Sequence, residues 1–218
     1  MSSHVVKTPL LVQNLFPKRI WRFPESPNEI YLTFDDGPIP QVTPWVLAQL
    51  KAHNAKATFF CIGDNATQHP DILQQIRDEG HSIGNHTYNH LNGWATSSSH
   101  YVKNVQLAEG TLQLEAENKG TQILFRPPYG KIKNEQAKKL QKQGYAIVMW
   151  DVLSADFDVS LSAEKCYQNV VKNIQPGSIV VFHDSLKAHG NLKQVLPRVL
   201  DYIDECGWVC SSIIGPQK

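Results

Sequence analysis

The stretch IYLTFDDGPIPQVTPWVLAQLKAHNAKATFFC, residues 30–61, contains the unit from which the fold of this chain can be predicted. Its apolar runs at 30–34 and 57–61 are typical of buried strands. Between them, Thr43 as an N-cap and Pro44 at the first helical position open an amphipathic helix. Two strands joined through a helix become parallel neighbours, because a parallel pair needs a crossover connection. This stretch therefore predicts an α/β fold.

The rest of the chain repeats the same alternation. Further apolar runs lie at 81–85, 123–125, 145–150, 178–182 and 208–213, and helical patterns lie at about 70–80, 98–117, 133–142, 162–173 and 192–205. Seven strands separated by six helices predict a parallel sheet or barrel in a single domain, residues 28–218. Residues 1–27 lack this pattern, and we predict that they form an N-terminal extension packed on the outside.

Composition and charge exclude several classes of function. Lys and Arg number 21 against 20 Asp and Glu, for a net charge of +1, whereas nucleic-acid and membrane-surface proteins carry a basic excess. No run approaches the roughly 20 apolar residues that a membrane span needs. The first residues carry no recognisable secretion signal, which predicts a cytoplasmic location. The four cysteines are dispersed and indicate buried free thiols. The sequence carries no sign of the oligomeric state.

Side chains that can bind a metal or transfer a proton follow five of the predicted strands. They lie at the edge of the sheet where functional groups collect in α/β folds. The five clusters are TFDDGP (33–38), HTYNH (86–90), RPPYG (126–130), WDVLSADF (150–157) and FHD (182–184). Each alone is also explained by a turn or a solvated surface group. Five at equivalent strand ends indicate a site.

The first two clusters predict a metal site. Side chains alternate along a strand, so Asp35 and Asp36 can take separate tasks, one on a metal and one on a proton. His86 and His90 are four residues apart, so in a helical turn both imidazoles can reach one metal. Two histidines and one carboxylate suit zinc hydrolysis but also non-haem iron. An iron oxygenase is disfavoured because it gives no task to Asp35 or to His183.

In this order the five motifs resemble those of the polysaccharide deacetylase family, the NodB-homology hydrolases, over residues 29–214. The resemblance implies an irregular, incomplete (β/α)7 barrel. It also implies a metal-dependent hydrolase that removes acetyl groups from N-acetylated sugars of a polysaccharide or oligosaccharide of the peptidoglycan or chitin type. Two alternatives stay open: the same fold acting on O-acetyl esters such as xylan or on another C–N amide bond, and a non-catalytic sugar-binding member.

The resemblance also implies tasks for residues around the metal. Asp36, His86 and His90 match the metal ligands, with Zn²⁺ expected and Co²⁺, Ni²⁺ or Fe²⁺ as alternatives. Asp35 matches the general base that acts on metal-activated water. Arg126 matches the arginine that pairs with this base and orients it.

The remaining motifs match the groups that stabilise and protonate the reacting amide. Tyr129 matches the residue whose backbone N–H stabilises the oxyanion, His183 matches the general acid, and Asp156 matches the carboxylate that holds its imidazole. The acetyl pocket is assigned to the apolar residues Phe157, Val181 and Pro128. The chain departs from the family pattern at Phe157, where many members have Trp, at Leu153, where many have Asp, and at Val181, commonly Leu. We expect these departures to alter substrate preference more than catalysis.

Overall fold

The computed structural model describes residues 4–114 and 120–217. Its strands are β1 (Glu29–Asp35), β2 (Thr58–Cys61), β3 (Ser82–Asn85), β4 (Ile123–Phe125), β5 (Tyr145–Ile147), β6 (Val152–Leu153), β7 (Ile179–His183) and β8 (Val209–Cys210). Its helices are α1 (Leu10–Leu15), α2 (Thr43–Ala52), α3 (Gly63–Gln68), α4 (Pro70–Asp78), α5 (Ser98–Thr111), α6 (Asn134–Lys142), α7 (Ala163–Val171) and α8 (His189–Glu205). Within this part of the chain, no helix is both long and apolar enough to cross a lipid bilayer.

The strands form one curved, open parallel sheet in the order β5-β4-β3-β2-β1-β7-β6. The short β8 pairs with the first residues of β1. The predicted α/β architecture, an incomplete barrel, is therefore confirmed. β1 lies between β2 and β7, and in that register Asp35 is paired with Phe60 on one side and His183 on the other. The carboxyl ends of the central strands thus meet where the sequence predicts a site.

Packing of aromatic and aliphatic side chains on the sheet forms the core. The rings of Phe34 and Phe59 stack with centroids 5.1 Å apart, and Phe182 lies 6.0 Å from Phe34 on the other side. All three are fully buried, as are Val46 and Leu47 from the predicted apolar stripe of α2. Each such side chain contributes roughly 1.5–3 kcal/mol through removal from water.

Several element boundaries differ from the predictions. The predicted strand at 145–150 ends at Ile147, and the two-residue β6 follows as a separate strand that the apolar pattern missed. The six-residue α3 was also missed, because its segment is polar and short. Helix α5 ends at Thr111, and residues 115–117 of its predicted range lie outside the described residues. Helix α8 begins three residues before the predicted position.

Residues 4–27 lie along both edges of the open sheet. Ile20 N–H donates to the O atom of Ile147, the last residue of β5 (2.8 Å), and Leu153 N–H of β6 donates to Val6 O (2.8 Å). An uncovered sheet edge presents unpaired backbone groups that invite association with other chains. Residues 4–27 supply hydrogen-bond partners for some of these backbone groups. The division into an extension and a catalytic domain at residue 27 stays a prediction.

Candidate active site

The carboxyl end of β1 directs its two aspartates to different surroundings. Asp35, the last residue of the strand, is buried, and its Oδ1 accepts a hydrogen bond from Arg126 Nη1 at 2.7 Å. Asp36 has left the strand with φ 86°, a left-handed conformation that costs a non-glycine residue free energy. Asn65 Nδ2 donates to the Asp36 carbonyl at 2.7 Å and helps to hold this turn. The two adjacent carboxylates therefore lie in different surroundings.

Arg126 is fully buried beneath the site, and its contacts fix the position of Asp35. Its Nη1 donates to Thr33 Oγ1 as well as to Asp35 Oδ1, both at 2.7 Å, and its Nη2 donates to Met149 O at 2.9 Å. The guanidinium also lies 4.1 Å from the centroid of the Phe60 ring. Burial lowers the pKa of Arg126, and the charge of Asp35 opposes that shift. The pair is therefore a buried ion pair with neighbouring polar partners.

Asp36, His86 and His90 each offer one donor atom, and these atoms lie within 4.8 Å of one another. His86 Nε2 is 3.8 Å and His90 Nε2 is 3.2 Å from Asp36 Oδ1. This oxygen is buried and accepts no hydrogen bond within the described structure. Buried polar atoms normally have a partner, and a divalent cation would supply one. Two nitrogens and one oxygen are a donor set that zinc accepts, so the residues present fit a metal.

The surroundings of His86 leave the lone pair of its Nε2 available to a metal. His86 Nδ1 lies 2.8 Å from Arg126 O. A carbonyl oxygen only accepts, so Nδ1 carries the proton and Nε2 presents its lone pair to the site. Burial lowers the pKa of His86 to about 4, with nearby Asp35 opposing the shift. The imidazole is therefore neutral at physiological pH, the form that binds metals.

The predicted helical turn between the two histidines is wrong. His86 and His90 belong to a loop in which Thr87 (φ 65°) and His90 (φ 53°) adopt left-handed conformations. The N–H groups of Tyr88 and Asn89 both donate to Asn104 Oδ1 of α5, at 2.8 and 3.1 Å. Sequence reasoning missed Asn104 because a buried asparagine within a helix follows no motif. The loop brings the imidazoles together without a helix.

His183 and Asp156 form the second charged pair of the site. The fully buried Asp156 accepts two hydrogen bonds from His183, from the backbone N–H to Oδ2 and from Nδ1 to Oδ1, both at 2.8 Å. Burial favours the neutral imidazole, but the charge and hydrogen bond of Asp156 outweigh it and raise the pKa of His183 to about 9. His183 is therefore protonated at neutral pH, as a proton donor must be.

Two of the residues predicted for the acetyl pocket, Phe157 and Val181, lie close to this pair. The Phe157 ring meets the His183 ring edge-on, with centroids 4.9 Å apart. Val181 is buried in a small apolar cluster with Leu153 and Ala155, against which Phe157 packs. The three residues that depart from the family pattern thus lie together: Leu153 and Val181 belong to one cluster, and Phe157 packs against it.

The RPPYG segment forms a tight turn beside the metal donors. Pro128 is buried, Tyr129 has φ 59°, and Gly130 N–H donates to Pro127 O at 3.0 Å. The Tyr129 ring lies 4.6 Å from the His90 ring, centroid to centroid. The turn therefore carries the Tyr129 side chain next to His90, one of the candidate metal ligands.

Asp184, which the sequence reasoning left without a task, anchors the turn that carries Asp36. Its carboxylate accepts hydrogen bonds from Gly37 N–H (2.9 Å) and Thr43 Oγ1 (2.6 Å). Burial raises the pKa of Asp184 to about 7, against the effect of these bonds. Its adjacency to His183 is the one signal that the sequence offered.

Asp151, part of the fourth cluster, lies outside the site. It is buried and accepts hydrogen bonds from Lys7 Nζ (2.7 Å) and from the backbone N–H of Ile179 (2.9 Å). Its contacts join the N-terminal segment to β7. Asp151 therefore has a structural role in these contacts and is not a member of the candidate active site.

Comparison with known proteins identifies relatives along most of the chain. The polysaccharide deacetylase family model matches residues 23–148. A peptidoglycan-N-acetylglucosamine deacetylase of Bacillus cereus is 40% identical over 166 residues, which cover 76% of this chain and 59% of that protein. A chitooligosaccharide deacetylase of Azorhizobium caulinodans is 36% identical over 163 residues, 75% of this chain and 77% of that one. This chain therefore matches 59% of the length of the first relative and 77% of that of the second.

A solved structure extends the similarity to almost the whole fold. The crystal structure of the Bc1960 peptidoglycan N-acetylglucosamine deacetylase, in complex with a naphthyl-substituted N-hydroxybenzamide, superimposes with a TM-score of 0.84 at 33% identity. The match covers 94% of this chain and 95% of that one. The similarity of fold therefore extends over nearly the whole length of both chains.

Proposed function

Because this chain belongs to the polysaccharide deacetylase family, we propose that it is a metal-dependent hydrolase that removes acetyl groups from N-acetylated sugars of a glycan. The observation that carries the proposal is the convergence of three metal donors, Asp36, His86 and His90, beside the second carboxylate of Asp35. Two segments about 50 positions apart in sequence, one after β1 and one after β3, meet there. A buried carboxylate held by Arg126, next to a cation site, is suited to proton transfer.

The proposed chemistry uses one proton acceptor and one proton donor. A divalent metal bound by Asp36 and the two histidines would lower the pKa of a bound water from its value in bulk solvent towards about 7 and would polarise the acetyl carbonyl. Asp35, oriented by Arg126, accepts the proton of the attacking water. The backbone N–H of Tyr129 stabilises the negative charge that develops on the carbonyl oxygen, and one such donor contributes about 3 kcal/mol.

His183 completes the proposed reaction at the leaving group. An amide nitrogen leaves poorly until it is protonated, and positioned acids accelerate such steps by about 10²- to 10⁴-fold. With a pKa of about 9, His183 holds the required proton, and Asp156 fixes the ring. Phe157, Val181 and Pro128 form the proposed acetyl pocket.

We further propose Zn²⁺ as the metal. The donor set contains two neutral imidazole nitrogens and one carboxylate oxygen, which leaves coordination positions for water and substrate. The same set accepts Co²⁺, Ni²⁺ and Fe²⁺. Metal analysis of protein purified without chelators, followed by reconstitution of the stripped protein with each ion, tests the choice. Recovery with another ion and not with zinc would contradict it.

The activity itself is tested by acetate release. The metal-reconstituted protein is incubated with chitin, peptidoglycan and acetylated xylan oligomers, with Asp35→Asn as the matched control that keeps the side-chain shape. We expect release from the N-acetylated glycans and a loss of at least about 10²-fold in the variant. Release from xylan alone would support the ester alternative. Binding of oligomers without any release would identify a non-catalytic sugar-binding protein.

A further inference from the structure

A pocket lies along β5, the last strand on one side of the sheet. Its volume is about 520 Å³, within the range of small-molecule binding sites. β5 is the fourth strand from β1 in the sheet order, and none of the described residues that line the pocket belongs to the candidate active site. The cavity is therefore separate from that site. It is here called the lysine pocket, because Lys18, Lys138 and Lys142 line it.

Hydrogen bonds between distant segments hold the sides of the lysine pocket together. The side chain of Gln141 in α6 donates from Nε2 to Lys18 O at 2.8 Å. At the amino end of β4, Gln122 N–H donates to Pro216 O at 2.8 Å. The N-terminal segment, α6 and the C-terminal segment thus meet around β5. The lysine pocket is therefore formed before any ligand arrives, as small-molecule sites usually are.

The three lysines bring positive charge to the lysine pocket without carboxylates to balance it. All three side chains are exposed. Among the described residues, no carboxylate oxygen lies within 4.0 Å of their Nζ atoms, in contrast to Lys139 of the same helix, whose Nζ lies 2.7 Å from Glu135 Oε1. Like charges gathered in a concave surface raise the local concentration of anions. The lysine pocket is therefore suited to a negatively charged ligand.

The arrangement of these charges has a cost for the helix that carries two of them. Lys138 and Lys142 are four residues apart in α6, so their ammonium groups lie on one face of the helix and repel each other. The helix dipole favours a base in the last turn, which applies to Lys142. It does not account for Lys18, which reaches the lysine pocket from about 120 positions earlier. A multivalent anion between the three ammonium groups would offset the repulsion.

We propose that the lysine pocket binds the phosphate group of a small organic ester, whose carbon skeleton rests on Ile20, Ala146 and Pro216. A phosphate ester carries about 1.5 to 2 negative charges at neutral pH, so it can contact several ammonium groups at once. Lysine binds phosphate as a point charge, whereas a planar carboxylate is held best by the fork of an arginine, and the described lining residues include no arginine. The apolar side chains favour an ester over inorganic phosphate. This site lies beyond the proposed function and does not depend on it.

The test is a titration of the zinc-loaded protein with phenyl phosphate, followed through the amide chemical shifts of ¹⁵N-labelled chains. We expect saturable shifts at Ile20 and Ile147, which line the lysine pocket. Lys138→Met and Lys142→Met should each raise Kd about twofold to fivefold, the range of an exposed ion pair, and the double variant about tenfold. Binding should also weaken as the salt concentration rises from about 0.05 to about 0.5 M, because exposed charges are screened.

Lys139→Met is the matched control, because Lys139 belongs to the same helix but does not line the lysine pocket. We expect it to leave Kd unchanged, and we expect phenol, which lacks the phosphate, not to bind. An equal loss of affinity in Lys139→Met or equal binding of phenol would overturn the proposal. Shifts confined to Thr87 and Tyr88, beside the metal donors, would also overturn it, since phosphate would then bind only there. Equal affinity for inorganic phosphate would remove the ester.

A second arm distinguishes a soluble ester from a phospholipid headgroup, which presents the same phosphate chemistry. The protein is sedimented with phosphatidylcholine vesicles that contain phosphatidic acid and with vesicles that lack it. Sedimentation with phosphatidic acid by the wild type, and not by the double variant of Lys138 and Lys142, would assign the phosphate to a lipid. Binding of phenyl phosphate without sedimentation would assign it to a soluble ester. Absence of binding in both arms would refute the lysine pocket. Neither readout needs turnover, so a failure of acetate release would leave this test intact.

Discussion

Replacement of Asp156 by Asn tests the assignment of His183 as the proton donor. Both oxygens of Asp156 accept hydrogen bonds from His183, and an asparagine has only one oxygen to offer. The substitution removes the negative charge, keeps the side-chain volume and leaves one N–H of His183 without an acceptor. The pKa of His183 should therefore fall from about 9 towards the ordinary value of about 6.5.

The magnitude follows from these two values. A fall in the pKa of His183 from about 9 to about 6.5 corresponds to roughly 3–4 kcal/mol of lost preference for the charged imidazole. A raised pKa keeps the imidazole protonated up to higher pH. At a pH of about 7.5, nearly all His183 side chains are therefore charged in the wild type, whereas about a tenth of them would be charged at the ordinary pKa. We expect at least a tenfold lower kcat at that pH, and a partial recovery as the pH is lowered.

The assay is acetate release from an N-acetylated oligosaccharide across pH, with metal content determined for each sample. The wild-type rate should decline as the pH rises through about 9, and the variant rate should decline about two pH units earlier. An alkaline limb at the same pH in both proteins, with equal metal content, would refute the assignment of His183 as the acid.

Three further outcomes are expected. Asp36→Ala should lower bound metal, measured by elemental analysis, at least tenfold while the chain stays folded; normal metal content would show that Asp36 is not a ligand. Arg126→Met should lower the free energy of unfolding by about 3–5 kcal/mol in urea titrations, because it leaves Asp35 charged and buried. The double variant with Asp35→Asn should recover part of that loss. Additive losses in the double variant would contradict an energetic coupling between Arg126 and Asp35. Gly37→Ala should weaken metal binding more than Gly110→Ala, since a Cβ at Gly37 overlaps the Asp184 carboxylate whereas Gly110 faces open space.

The parallel sheet was predictable because its strands are buried on both faces. Runs such as 30–34 and 57–61 are continuously apolar, and a helix between them leaves a parallel pairing as the natural arrangement. The two residues of β6 were not predictable, because so short a strand is defined by its neighbours and not by its own pattern. Its backbone pairs with β7 and with Val6.

The candidate site was predictable in its members but not in its geometry. The spacing of His86 and His90 predicted a shared metal, and the structure brings their donors together, yet through left-handed loop residues and not through a helical turn. That loop is fixed by Asn104, eighteen residues after His86, and no local pattern reveals such a long-range hydrogen bond. Asp184 was missed for the same reason, since its partners Gly37 and Thr43 lie about 140 positions earlier.

The bonding of residues 4–27 to segments in the last third of the chain has a consequence for the order in which the chain acquires its structure. Thr8 N–H donates to Asp151 O, and Phe23 N–H donates to Gly177 O, so partners in these bonds are separated by more than 140 positions. Contacts of such high sequence separation slow folding, because a long loop must close before they form. During synthesis residues 4–27 therefore reach these partners only after the last third of the chain has been made.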